Sequence, residues 1–254
     1  METNFRTRLI NGETLIGTVV TLFTPEVSEI LAEVGFDWLW IDTEHSPFDA
    51  QAAQGILQAV NGQCPCIIRV PACDDVWIKK ALDIGAAGVI VPQVNSPEVA
   101  KQIVASCKYP PQGSRGVGIG RAHKYGLKFQ DYIQKANDEV AVIIQAESRD
   151  AVNNISSIVK VDGIDAVLIG PYDLSASLGK IGQVKDATVQ DAMDKIRESC
   201  RQAGVQLGIY GIDAEAVKPY IQKGYTLIGV GTDALFLANS ASTTLADLKD
   251  FSKK

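Results

Sequence analysis

The chain has 254 residues, a formal net charge of −6 and no basic stripe, which argues against nucleic acid or an anionic membrane surface as its main partner. Hydrophobic residues make up 46% and charged residues 21%, enough for a sizeable core and too balanced for disorder. Met1 to Ile10 is polar with two arginines and does not read as a signal peptide, and no run of about 18 apolar residues is present to span a membrane.

Short apolar runs rich in β-branched residues recur in chain order at Leu15–Phe23, Trp38–Thr43, Cys66–Val70, Gly88–Val94, Val140–Ala146, Ala166–Gly170, Gln206–Tyr210 and Thr226–Val230. Most are continuous rather than alternating, as strands covered on both faces should be. Helical stripes lie between them. Ala151, Val152, Ile155, Ile158 and Val159 follow i, i+3, i+4, i+7 spacing, and Val189, Ala192, Met193, Ile196 and Cys200 do the same. Gly35, Gly85, Gly204 and Gly224 each precede a strand closely, where a helix C-cap belongs. Pro219 is expected to kink or shorten the seventh helix.

Eight strands alternating with helices predict a closed (β/α)8 TIM barrel, a single domain over residues 1–254, close to the length of about 250 usual for that fold. An open doubly wound sheet would carry a glycine-rich loop after its first strand, whereas Thr24-Pro25-Glu26 stands there. One connection, Ser96 to Asp138, is long. It holds Tyr109-Pro110-Pro111 and a glycine-rich run, Gly113 to Gly120, and reads as an active-site flap or an intersubunit loop, with plain turn chemistry as the alternative. At the C-terminal end Ala234-Leu235-Phe236-Leu237-Ala238, then Leu245 and Leu248, either pack on a neighbouring subunit or cover their own barrel. The five cysteines, Cys64, Cys66, Cys73, Cys107 and Cys200, are odd in number and irregularly spaced. They read as thiols of a protein in the reducing cytoplasm, not as a zinc site.

In such a barrel the chemistry sits at the C-terminal strand ends. The second run ends Asp42-Thr43-Glu44-His45, the third Arg69-Val70-Pro71, the fifth Gln145-Ala146-Glu147-Ser148, and the sixth Gly170-Pro171-Tyr172-Asp173. Glu147 and Asp173, at similar depth on adjacent strands, would repel unless a cation lay between them. They suit a hard divalent ion with open positions, or else each caps the helix that follows. His45, one of two histidines, is a candidate proton shuttle. Arg69, in an apolar strand, needs an anionic partner, either a structural carboxylate or the carboxylate of a substrate. No lysine lies inside a strand run, so a Schiff base has no obvious nucleophile.

These motifs, with Pro110-Pro111-Gln112-Gly113-Ser114-Arg115-Gly116-Val117-Gly118 and Gly231-Thr232-Asp233, span nearly the whole chain. Together they resemble the class II, metal-dependent pyruvate aldolases of the HpcH/HpaI family. The resemblance implies reversible cleavage of a 4-hydroxy-2-oxo acid to pyruvate and an aldehyde through a pyruvate enolate on a divalent metal (Mg²⁺, Mn²⁺ or Co²⁺). It implies Glu147 and Asp173 as metal ligands. It makes His45 the base, acting through a water, with Asp83 raising its basicity, and gives Arg69 the task of stabilising carboxylate and enolate charge. Gln145 and the backbone at Tyr172 and Asp173 are implied as pyruvate contacts. A homo-oligomer, a hexamer or trimer of dimers with the C-terminal helix exchanged, is also implied. The sequence departs from the family at Ala146, where a bulkier aliphatic is usual, and at His123 and Tyr125, in a segment that varies between members and bears on the aldehyde. Two rival functions share the scaffold: oxaloacetate decarboxylation or other enolate chemistry on the same metal, and a non-catalytic barrel that binds a 2-oxo acid.

Overall fold

The eight apolar runs are eight strands, β1 (Leu15–Val20), β2 (Trp38–Asp42), β3 (Cys66–Arg69), β4 (Gly88–Val91), β5 (Ala141–Ala146), β6 (Ala166–Ile169), β7 (Gln206–Gly211) and β8 (Leu227–Thr232). They pair in parallel in sequence order, and β8 returns to β1 to close the barrel. The computed structural model describes residues 4–253, so Met1–Thr3 and Lys254 of the expected span lie outside the described residues.

Around the strands run α1 (Phe5–Ile10), α2 (Pro25–Val34), α3 (Ala50–Val60), α4 (Asp75–Asp83), α5 (Pro97–Cys107), α6 (Phe129–Glu139), α7 (Arg149–Ile158), α8 (Pro171–Ser177), α9 (Ala187–Ala203), α10 (Ala214–Gln222) and α11 (Asp233–Phe251). Their starts are chemically marked. Asp49, Asp74, Ser96, Ser148, Asp186, Asp213 and Thr232 each accept a bond from an amide of the first turn. Gly35 and Gly204 end α2 and α9 in the left-handed conformation, as expected. Helix α10 runs three residues beyond Pro219, and Lys223 N–H donates to the Pro219 carbonyl.

Two strand ends fall short of the apolar runs. β1 stops at Val20 because the amides of Thr21 and Leu22 turn to the buried Asp233 carboxylate instead of to a neighbouring strand. β4 stops at Val91 because Pro92 has no N–H to offer the ladder.

Residues two apart on each strand fill the barrel interior. Leu15, Val19, Trp38, Trp40, Ile67, Ile90, Ala141, Ile143, Ala166, Leu168 and Leu227 form one cluster, while Leu39, Ile41, Ile68, Ile144 and Ile169 belong to the outer cluster under the helices. The indoles of Trp38 and Trp40 stack with centroids 6.0 Å apart. Gly17 makes room for the first of them, since a Cβ there would lie 2.5 Å from the Trp38 ring. Helix α1 seals the N-terminal end. Phe5 and Leu9 join the interior cluster, Arg6 pairs with Asp165 just before β6, and Arg8 pairs with Asp37 just before β2.

The long connection does not form a flap over the mouth of its own barrel, which corrects one of its expected roles. Its glycine-rich run folds against the C-terminal end of α4, at the opposite end of the barrel from the strand tips. Arg115 pairs with Asp83 at 2.7 Å, and Arg121 donates to the carbonyls of Ile84 and Leu57, both at 3.0 Å. Helix α11 behaves differently from the others. It starts at buried Asp233, stacks Phe236 on Phe36, and then leaves Leu237, Leu245, Leu248 and Phe251 exposed, so most of it does not cover its own barrel. Among the described residues no helix is long and apolar enough to cross a membrane.

Since Leu9 is fully buried at the plug, Leu9→Ala should destabilise the fold by about 3 kcal/mol, read as a lower urea midpoint. An unchanged midpoint would mean that α1 is not part of the cooperative core.

Candidate active site

The polar layer begins where the interior pattern of β2 reaches Asp42. Arg69, paired with it in register on β3, donates from Nε to Asp42 Oδ1 at 2.9 Å and from Nη2 to Oδ2 at 2.8 Å. The guanidinium lies over the Trp40 ring, 4.9 Å from its centroid, and Nη1 stands 3.2 Å from Glu44 Oε2. Burial works against the Arg69 charge, but the bonds to Asp42 and the nearby Glu44 and Glu147 outweigh it and raise the pKa above its ordinary value. Arg69 therefore has its structural anion and still carries N–H donors beyond those its partners use.

Asp42 also shapes the turn after β2. Its Oδ1 accepts from the amides of Glu44 at 3.0 Å and His45 at 3.3 Å. The turn carries His45 to the rim with its side chain 64% exposed and Nε2 3.7 Å from Glu44 Oε2. Burial raises the Glu44 pKa, Arg69 and His45 oppose that, and Asp42 and Asp173 add to it.

Across the mouth, β5 contributes Gln145 and, just past its end, Glu147; both are buried. Glu147 Oε1 accepts from the Gln93 amide at 2.9 Å, and Oε2 accepts from Gln145 Nε2. Gln145 Oε1 is buried without a partner. Gly170, after β6, permits this packing: a Cβ there would lie 2.6 Å from Glu147 Oε2 and 2.8 Å from Gln145 Nε2. Pro171 then opens α8. Tyr172 and Asp173 occupy its first turn, where the amides have no carbonyl of the helix to bond. Asp173 does not act as the N-cap, since Gly170 holds that position; Ser148, not Glu147, caps α7.

A cavity of about 200 Å³ joins these groups. Asp42, His45, Arg69, Gln145, Gly170, Tyr172 and Asp173 line it, with Trp40 and Tyr210 as walls and Val19, Thr21 and Thr232 closing the β1–β8 side. The donors suit a divalent cation. Burial pushes the Glu147 carboxyl up to about 7, with Asp173 and Glu44 adding to the effect and the Gln93 amide and Arg69 opposing it, so a nearby cation would favour its charged form. The unpartnered Gln145 oxygen is one more hard donor. Among the described residues no cluster of three or more His, Cys, Asp or Glu side chains is arranged for a metal; the candidate ligands, Glu147 and Asp173, are two carboxylates and would leave positions open.

Of the sequence candidates, His45, Arg69, Gln145, Tyr172 and Asp173 meet at the cavity, with Glu147 packed against it. Asp83 does not join them within the chain. It is the last residue of α4, bonded to Arg115, whose guanidinium packs against the rings of Tyr109 and Tyr132 at 4.6 and 5.6 Å from their centroids. His123 is also away from the mouth. It is buried in the long connection, where Nδ1 accepts from Gly126 N–H and Nε2 donates to the Gly118 carbonyl oxygen at 2.5 Å. Sequence reasoning passed over Trp40, Tyr210 and Gln93. The first two carry a readable signal: Trp40 stands two residues before Asp42, and Tyr210 is the aromatic near the end of β7. The third carries none, because it acts through its backbone.

A profile of the HpcH/HpaI aldolase/citrate lyase family matches residues 16–240. A hydroxypyruvate/pyruvate aldolase from Deinococcus radiodurans is 38% identical over 257 aligned positions, covering 100% of this chain and 92% of the relative. A 4-hydroxy-2-oxo-heptane-1,7-dioate aldolase from Shigella sonnei is 38% identical, covering 97% of this chain and 95% of the relative. A crystal structure of an HpcH/HpaI aldolase/citrate lyase family protein from Burkholderia cenocepacia superposes with a TM-score of 0.94 at 35% identity, covering 97% of this chain and all of the other.

The raised Glu147 pKa has a signed consequence for the metal-stripped protein. Ionising Glu147 is harder in the folded chain than in the unfolded one, so stability should fall as pH rises from about 4.5 to about 7 and level off above. The loss should be on the order of 3 kcal/mol. Glu147→Gln should remove that slope from thermal midpoints measured in EDTA across the range; a variant that keeps the slope would place its origin elsewhere.

Proposed function

As the chain belongs to the HpcH/HpaI aldolase/citrate lyase family, we propose that it is a class II aldolase, a carbon–carbon lyase that reversibly cleaves a 4-hydroxy-2-oxo acid to pyruvate and an aldehyde. The observation that carries this reading is the convergence of Arg69, Gln145, His45 and Asp173 on one cavity, with Glu147 buried beside it. Glu147 and Asp173 would hold a divalent cation, Mg²⁺, Mn²⁺ or Co²⁺, which would supply Lewis-acid stabilisation of the negative charge that builds on the 2-keto oxygen.

The protein's own groups do the rest. Arg69, fixed by Asp42, offers its remaining donors to the carboxylate and offsets enolate charge. Gln145 and the first-turn amides of α8 orient the 2-oxo acid end. His45, on the rim, accepts the 4-hydroxyl proton through a water. The electron pair of the broken O–H bond then forms the aldehyde carbonyl, and the C3–C4 pair passes into the enolate. Return of a proton to C3 completes pyruvate. Trp40 and Tyr210 keep bulk water from the reacting carbons.

The reading extends to assembly. The exposed apolar side chains of α11, Leu237, Leu245, Leu248 and Phe251, favour a homo-oligomer, a hexamer or trimer of dimers in which this helix is exchanged. Asp83 then acts on the His45 of a second copy. Its side chain is 29% exposed and rigidly held by Arg115, at the end of the barrel away from its own histidine. A cytoplasmic location fits the five free cysteines, of which only Cys73 is exposed.

Pyruvate release from a panel of 4-hydroxy-2-oxo acids should be abolished by EDTA and restored by Mg²⁺, Mn²⁺ or Co²⁺. His45→Ala should bind metal normally and turn over about 10²- to 10⁴-fold more slowly. Pyruvate formed equally well in EDTA would remove Glu147 and Asp173 from the chemistry. Carbon dioxide release without any aldehyde would indicate decarboxylation instead. Co-expressing Asp83→Asn with His45→Ala should recover activity that neither variant has alone, whereas a fully active Asp83→Asn protein would end the proposed role of Asp83.

A further inference from the structure

Glu147 is aimed in part from β4, the strand whose end contributes no side chain to the cavity. After β4 the chain passes through Pro92, and Gln93 stands in the left-handed region with φ of 57°. That conformation is unfavourable for a residue with a Cβ and is usually left to glycine or asparagine. Here it turns the Gln93 N–H onto Glu147 Oε1 at 2.9 Å, while the next amide, of Val94, donates to the Gln145 carbonyl at 3.3 Å. The turn is thus fastened to β5 at two places, both beside the cavity. The Gln93 side chain itself is exposed.

Glu147 has its other oxygen, Oε2, fixed by Gln145 Nε2, and Gly170 provides the space in which the pair sits. With one donor on each oxygen, the carboxylate has a single orientation and a lone pair on each atom left over. Backbone strain kept beside a functional carboxylate asks for a role that the strained geometry performs.

We propose that Gln93 is a positioning residue whose left-handed backbone, rather than its side chain, orients Glu147 toward a divalent cation. The inference rests on the reading of Glu147 as a metal ligand. It makes an unusual demand: residues that accept the left-handed region should be tolerated even though they lack the glutamine side chain, and residues that resist it should not.

The test is Mn²⁺ affinity of the stripped full-length protein, followed by electron paramagnetic resonance at fixed pH, with thermal midpoints measured in parallel. Gln93→Gly and Gln93→Asn should bind Mn²⁺ within about twofold of the parent, because both residues adopt a positive φ readily. Gln93→Val should bind about tenfold more weakly, the scale on which outer partners of metal ligands act. Gln93→Ala, a milder change that should fold even where valine does not, should fall between them. If the glycine variant loses as much as the valine one, the side chain is responsible and the proposal is wrong. If valine and alanine lower only the thermal midpoint and leave Mn²⁺ affinity intact, Gln93 is structural and the proposal is equally wrong. Glu147→Gln serves as the control: were it to bind Mn²⁺ like the parent, the assignment of Glu147 as ligand would fail, independently of Gln93.

Discussion

A strand turns alternate side chains to opposite sides, and in a closed parallel barrel one of those sides is a space with no exit except its ends. Everything at the mouth follows from that restriction. On β2 the interior positions read Trp38, Trp40, Asp42, and on β3 they read Ile67, Arg69. The apolar layers fill the lower barrel, and the next step along the same row is charged. Asp42 and Arg69 are register partners, so their side chains rise on the same side of adjacent strands and meet with two short bonds. A one-residue slip of β3 would put Arg69 among the helices and Ile68 in the cavity.

The charges gathered there do not balance within the protein. Asp42, Glu44 and Glu147 lie around one arginine, Asp173 adds its charge to Glu44 and Glu147, and Asp42 occupies much of the guanidinium. Burial pushes the Glu147 carboxyl up to about 7, Asp173 and Glu44 add to the effect, and the Gln93 amide and Arg69 oppose it. A divalent cation held by Glu147 and Asp173, as proposed above, would supply a counter-charge without a further basic residue and leave coordination positions free for a ligand with its own oxygens. Arg69 is held from the β2 side, while Glu147 follows the end of β5 and Asp173 stands in the first turn of α8.

Much of this was legible in the sequence because barrel strands announce themselves as apolar runs and their chemistry stands at the run ends. His45, Arg69, Gln145, Glu147 and Asp173 were all found by that rule. The strand boundaries that moved did so through interactions the runs cannot show: the hold of Asp233 on the Thr21 and Leu22 amides lies more than two hundred residues away in sequence. The distance of Asp83 from the His45 of its own chain was not legible for a related reason. A motif gives order along the chain, whereas α4 carries its last residue to the far end of the barrel. Gln93 was invisible because its contribution is a backbone torsion, which no residue type at that position announces.

The plug formed by α1 has a consequence for the order of events. Phe5 and Leu9 close the lower end, and the stacked indoles above them fill the shaft, so the cavity has a single doorway. A molecule held with its oxo-acid end against Gln145 and Arg69 and its far end beside the rim histidine can part only from the outside inward. In the reaction proposed above, the aldehyde would therefore leave first and pyruvate second, and in the synthetic direction pyruvate would enter before its partner. An order of arrivals and departures is what a barrel stopped at one end would impose on that reaction.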